Sequence, residues 1–132
     1  MSKAVVLRPS EISARQRGGG AKTIPLVTRG TGSTSFINGI TIFEPGAAIP
    51  MHYHNCEESV LLLEGKAIAE INGVEFEVKP GDVSFIPANI PHRFRNTSST
   101  QGMKILWTYA SIDATRTLVE TGDTRSIDDE HK

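Results

Sequence analysis

An all-β fold, an antiparallel sandwich or barrel in one domain, is what the sequence predicts, and three observations lead there. Short runs of β-forming residues recur along most of the chain, turn residues separate them, and no segment carries a sustained helical period. The 12 glycines and 7 prolines in 132 residues supply the punctuation that many short strands need. At 38% hydrophobic and 22% charged residues, the composition is that of a soluble domain able to bury its own core.

The elements follow in order. Residues 1–22 are polar and end in Gly18-Gly19-Gly20, which reads as a flexible N-terminal leader. Residues 23–28 and 35–43 read as strands, the second containing Asn38-Gly39. Glu44-Pro45-Gly46 is a turn into the segment 47–54, and residues 59–63 form a β-type run stopped by Glu64-Gly65. The sharpest local signal comes next. Residues 66–71 and Val74–Val78 flank Asn72-Gly73, the pair favoured by a two-residue type I′ turn, and so predict a hairpin. Lys79-Pro80-Gly81-Asp82 turns the chain again, Val83–Ile86 is a strand, 87–91 a proline-bounded loop, 92–95 a strand, and Met103–Tyr109 closes the barrel, which is thus expected over 23–110. Residues 111–132 read as a C-terminal arm and acidic tail, with His131 solvated.

Composition also bounds the function. The net charge of -1 argues against nucleic acid and anionic membrane as partners, and favours a small-molecule ligand or substrate. The one cysteine, Cys56, allows no internal disulfide and suits a reducing, cytoplasmic setting; no run approaches the length of a membrane span. Val60, Leu61, Leu62 and Leu63 make both faces of one strand apolar. That predicts a cover for the outer face, most simply a second subunit in a homodimer.

The chemistry gathers on a few residues. His52 and His54, two apart on an extended segment, project to the same side. Glu58 follows across a bend, and His92 stands on a later strand just after Pro91. Three imidazoles and a carboxylate suit one divalent transition metal, among Fe, Mn, Ni, Zn, Cu and Co, better than Ca or Mg.

The spacing carries a resemblance. Reading from Gly46 the pattern is Gly-x5-His-x-His-x3-Glu-x6-Gly, through His52, His54 and Glu58 to Gly65. Reading from Gly81 it is Gly-x5-Pro-x-Asn-x2-His-x3-Asn, through Pro87, Asn89 and His92 to Asn96. These two stretches, fifteen residues apart, resemble the two motifs of the cupin superfamily. The departure is Asn89, where the family usually has glycine, and asparagine is the residue that best tolerates the same left-handed backbone. The resemblance implies a double-stranded β-helix, the jelly-roll or RmlC-like cupin barrel of small bacterial single-domain proteins. It implies a metal on His52, His54, Glu58 and His92, with two coordination positions left for water, substrate or dioxygen.

Alternation from His92 turns Phe94 inward and Arg93 and Arg95 outward. In the last strand Met103, Ile105, Trp107 and Tyr109 share the heavier face, and with Phe94 they are the pocket-lining candidates. Cys56 reads as a small buried filler. Asp, Lys and Arg fall at turns and outward positions, so no general acid or base is expected inside. The function expected is that of a small metalloenzyme: a dioxygenase-type oxidoreductase on an enolisable or phenolic molecule first, an isomerase or lyase of a sugar-derived acid next. The alternative is a non-catalytic small-molecule or metal-binding sensor or accessory module.

Overall fold

A computed structural model describes residues 3–130. Among these, twelve strands form two six-stranded antiparallel sheets that face each other as a jelly roll. The strands are β1 (Arg15–Gly18), β2 (Ala21–Pro25), β3 (Ile37–Phe43), β4 (His52–His54), β5 (Glu58–Glu64), β6 (Ala67–Ile71), β7 (Val74–Val78), β8 (Val83–Ile86), β9 (His92–Asn96), β10 (Met103–Tyr109), β11 (Thr115–Leu118) and β12 (Thr124–Ser126). One sheet has the order β1-β2-β3-β10-β5-β8 and the other β12-β11-β4-β9-β6-β7. A single helical turn, α1 (Ile127–Glu130), ends the described chain. No helix in the described residues is long and apolar enough to cross a membrane.

Alternation explains the packing. Met103, Ile105, Trp107 and Tyr109 of β10 are all buried, while the residues between them are only half-buried. They meet Phe43, Val60, Leu62 and Phe94 in one core. The β6–β7 hairpin turns at Asn72 and Gly73, with φ of 51° and 80°, as a type I′ turn requires.

The outer faces of the two sheets differ. On the β6–β9 face, Arg93 and Arg95 converge on Glu70, and Arg95 also reaches Glu75 at 2.8 Å. Across the other sheet the register aligns Ile24, Ile40, Leu106, Leu61 and Val83 in one apolar row.

Two expected boundaries are corrected. The segment 1–22 is not a leader throughout, because β1 and the start of β2 lie within it. Gly18, Gly19 and Gly20 all have positive φ and reverse the chain between those strands, so the glycines build a hairpin and not a linker. Likewise the C-terminal arm contributes β11, which pairs with β4 beside the motif histidines, and β12. His131 lies outside the described residues.

Candidate metal centre

Short strands from two sheets bring the motif residues together. His52 and His54 lie on β4 with Tyr53 facing the other way. His52 is the cross-strand partner of His92 on β9. Glu58 opens β5 in the opposite sheet and reaches across the barrel: its Oε1 stands 2.9 Å from His92 Nε2 and 3.4 Å from His54 Nε2. All four side chains are buried. One ligating nitrogen from each of His52, His54 and His92 lies within 4.8 Å of the others, close enough to hold a single ion.

The orientation of each ring is fixed from behind. His52 Nδ1–H donates to the Pro50 carbonyl at 2.8 Å, His54 Nδ1–H to Thr115 at 2.9 Å and His92 Nδ1–H to Ile90 at 2.9 Å. With every Nδ1 committed to the backbone, the three Nε2 atoms are turned to a common point, the arrangement that outer hydrogen bonds give to metal-binding imidazoles. Asn89 helps to set that frame. It takes left-handed backbone with φ 64°, and its amide donates to the His54 carbonyl at 2.7 Å, tying the second motif to the first.

Electrostatics favour neutral ligands at two of the three histidines. Burial, reinforced by the neighbouring imidazoles, holds His52 well below the usual histidine range. Burial also lowers His54, against the pull of the Glu58 charge. At His92 burial acts downward too, but the hydrogen bond and charge of Glu58 together outweigh it and leave the group raised. His54 Nε2 is buried and has no hydrogen-bond partner. A buried imidazole nitrogen without a partner, facing two others and a carboxylate, is the donor set a transition ion would satisfy.

Around this cluster is a cavity of about 20 Å³, room for roughly one water. Phe94, Ile105, Trp107 and Tyr109 line it, whereas Met103 is buried in the core and is not part of its lining. Trp107 and Tyr109 stack with ring centroids 4.6 Å apart, and Tyr109 lies 4.3 Å from the His54 ring. Trp107 Nε1–H donates to Thr41 at 2.9 Å. Burial first, then the Glu58 charge, pushes the Tyr109 phenol well above its ordinary value, so it keeps its proton. Cys56 is partly buried against the core, and burial raises its thiol.

Sequence reasoning missed two of the lining residues that matter most: Arg17 and Arg116. The expectation that arginines stay at turns or outward positions is corrected for both. Arg116 is the cross-strand partner of His54 on β11 and so shares its inward face. Arg17 Nη1 lies 3.4 Å from the buried Thr23 hydroxyl. Both fell in segments read as tails, where inward and outward parity was never assigned.

The two motif stretches that carry this geometry also fall inside a recognised family. The cupin-domain model matches residues 39–109. The chain belongs to the cupin family. Among curated proteins, this cupin is 34% identical over 92 residues to the polyketide synthase protein CurC of Streptomyces cyaneus, covering 69% of this chain and 59% of the relative. It is 33% identical over 88 residues to protein SchB of Streptomyces halstedii, covering 66% and 63%. The chain thus matches less than two thirds of either relative. Among solved structures, the polyketide cyclase RemF of Streptomyces resistomycificus superposes with a TM-score of 0.73 at 24% identity, over 96% of this chain and 86% of the other, which establishes the shared fold.

Proposed function

We propose that this cupin is a metal-dependent enzyme acting on a small, oxygen-rich molecule of enolisable or phenolic character, with His52, His54, Glu58 and His92 as ligands of one divalent transition metal. The observation that carries this reading is the partnerless, buried Nε2 of His54 beside the other two imidazoles. Leaving such a group unsatisfied costs about 1–3 kcal/mol, which ligation would recover. The ion, when bound, supplies Lewis acidity toward a substrate oxygen pair.

The protein's own groups do the rest. The Nδ1 hydrogen bonds hold the rings in position, and Glu58 places a negative charge on the far side of the site. Phe94, Ile105 and Trp107 form the apolar part of the cavity wall. Tyr109 retains its proton and stands in the same wall, where it can donate to a substrate oxygen. The polyketide synthase relatives support a poly-carbonyl or phenolic substrate, for which ring closure without net oxidation fits a Lewis-acid site. Dioxygenase-type chemistry is the second reading, favoured by the histidine and carboxylate donor set. The apolar outer row of the first sheet supports a homodimer, and the lone cysteine a cytoplasmic setting.

The test starts with elemental analysis of the purified protein. Stoichiometric metal in wild type, lost in His52→Ala, is expected, since removing a ligand should cost at least the roughly 10–100-fold of losing an outer partner. Turnover of 1,3-diketones, catechols and uronates is then followed together with oxygen uptake. Product without uptake favours cyclisation, isomerisation or lyase chemistry, and uptake favours the dioxygenase. Metal without turnover points to a binding module, and wild type without metal overturns the proposal.

A further inference from the structure

Two cations and one anion at the edge of the metal cavity have no part in ligating the ion. Arg17 comes from β1 in one sheet and Arg116 from β11 in the other, and both line the cavity that holds His52, Glu58 and His92. Between them lies the carboxylate of Glu130, on the last helical turn. Its Oε2 is 3.0 Å from Arg17 Nη2 and its Oε1 is 2.7 Å from Arg116 Nε. All three side chains are largely withdrawn from solvent, at 12%, 17% and 5% exposure.

A buried charged triad of this kind is a poor way to stabilise a fold, because well-packed apolar residues in its place are often as good or better. The fit here is also incomplete. Glu130 offers a single oxygen to each guanidinium and makes a paired contact with neither. A guanidinium fork is shaped for paired hydrogen bonds to a carboxylate. The two arginines thus form a receptor for a carboxylate that the chain's own side chain fills imperfectly.

We propose that Arg17 and Arg116 are a carboxylate-binding subsite of the metal cavity, and that Glu130 is a resident stand-in which the carboxylate of a small organic acid displaces. The proposal rests on the metal-centre reading above, and narrows its substrate to acids that carry a second oxygen donor for the ion. Position supports it. Arg17 and Arg116 line the same cavity as Tyr109, His52, Glu58 and His92, and Arg116 is the cross-strand partner of His54, so the subsite adjoins the ligand cluster.

Room supports it as well. The cavity at the histidine cluster, at about 20 Å³, is too small for an organic acid. A second cleft of about 130 Å³ is lined by Arg116, Leu118, Asp123, Arg125 and Glu130. Arg116 borders both spaces and Glu130 is paired to it, so withdrawing Glu130 would join them. The helical turn that carries Glu130 spans only four residues, is held by buried Ile127 and by the Arg29–Asp128 ion pair, and as so short a helix has little stability of its own.

The experiment is calorimetric titration of the full-length protein, metal-loaded and metal-stripped, with 4-hydroxybenzoate and with its neutral amide, 4-hydroxybenzamide. The acid should bind and the amide should not. Glu130→Gln should tighten acid binding at least tenfold by removing the internal competitor. Arg116→Gln should abolish it while metal content stays at the wild-type level, and Arg17→Gln serves the same purpose should the first variant fail to fold by thermal melting. Equal binding of acid and amide, an unchanged affinity in Glu130→Gln, acid binding that survives both arginine substitutions, or no binding to any variant would overturn the proposal. Failure of the metal reading shows separately, as wild-type protein without metal. Acid binding to the stripped protein then decides the arginine pair by itself.

Discussion

Asn89 shows how a single backbone angle supports the centre. Its φ of 64° is a conformation that asparagine and glycine adopt readily and a β-branched residue does not. Its amide also holds the His54 carbonyl. Asn89→Gly should therefore change stability by less than about 1 kcal/mol, whereas Asn89→Val should cost roughly 1–3 kcal/mol and loosen the metal. Paired denaturant melts and metal titrations check this; equal behaviour of the two variants would refute the backbone argument. Gly39 is a different case: a Cβ there would stand 2.5 Å from Trp107 Cζ2, so the glycine leaves space for the indole wall of the cavity. The first of these positions was legible from the motif, through the one residue that departs from the family pattern. The second was not, because nothing local to Asn38-Gly39 reveals that an indole 68 positions away lies over it.

Strands position these residues only because their neighbours hold them. β9 carries His92 and Phe94 inward, and its outward Arg93 and Arg95 fasten it to β6 through Glu70. The hydrogen bond from Arg93 comes first among the causes that lower Glu70, with Arg95 adding to it. A carboxylate whose folded value is depressed adds stability above its unfolded value, near the ordinary 4.5, and loses that contribution as pH falls through the folded value. Glu70→Gln should consequently cost on the order of 0.5–1 kcal/mol at neutral pH, with the gap to wild type closing as the solution is acidified below the usual carboxylate range. Urea midpoints at several pH values measure it, and a gap that does not shrink in acid would rule the ion network out as the cause. The β6–β7 hairpin and β10 were readable from periodicity, and the four-residue β8 from the turn and the proline that bound it; these signals act within a few positions. β1, β11 and β12 were not. Each has three or four residues, too few for a period to show, and each exists because an existing strand offers an edge for pairing.

At the scale of the whole molecule the two outer faces have opposite characters. Ion pairs cover the β6–β9 side, while on the opposite sheet the row from Ile24 to Val83 is already buried at Ile24 and Ile40 and opens at its β8 end, with Val83 64% and Phe85 62% exposed. Burying such a face gains about 25 cal/mol per Å² of apolar surface. If the sheet is the homodimer interface, replacing Val83 and Phe85 by glutamate should shift the protein to monomer in sedimentation analysis. The metal content should not change, since both side chains point away from the centre. A wild-type monomer at micromolar concentration would exclude this interface.

By itself the sequence determined the family, the jelly-roll class and the candidate ligands, because motif spacing and strand alternation are local rules that survive any arrangement of the remainder. Only the tertiary structure decided what surrounds them. It committed each Nδ1 to a backbone carbonyl, drew Glu58 across from the opposite sheet, and turned two arginines from the ends of the chain into the cavity. Those relations join residues as far apart as Arg17 and Glu130, and they are set by strand pairing and burial, which no local pattern records.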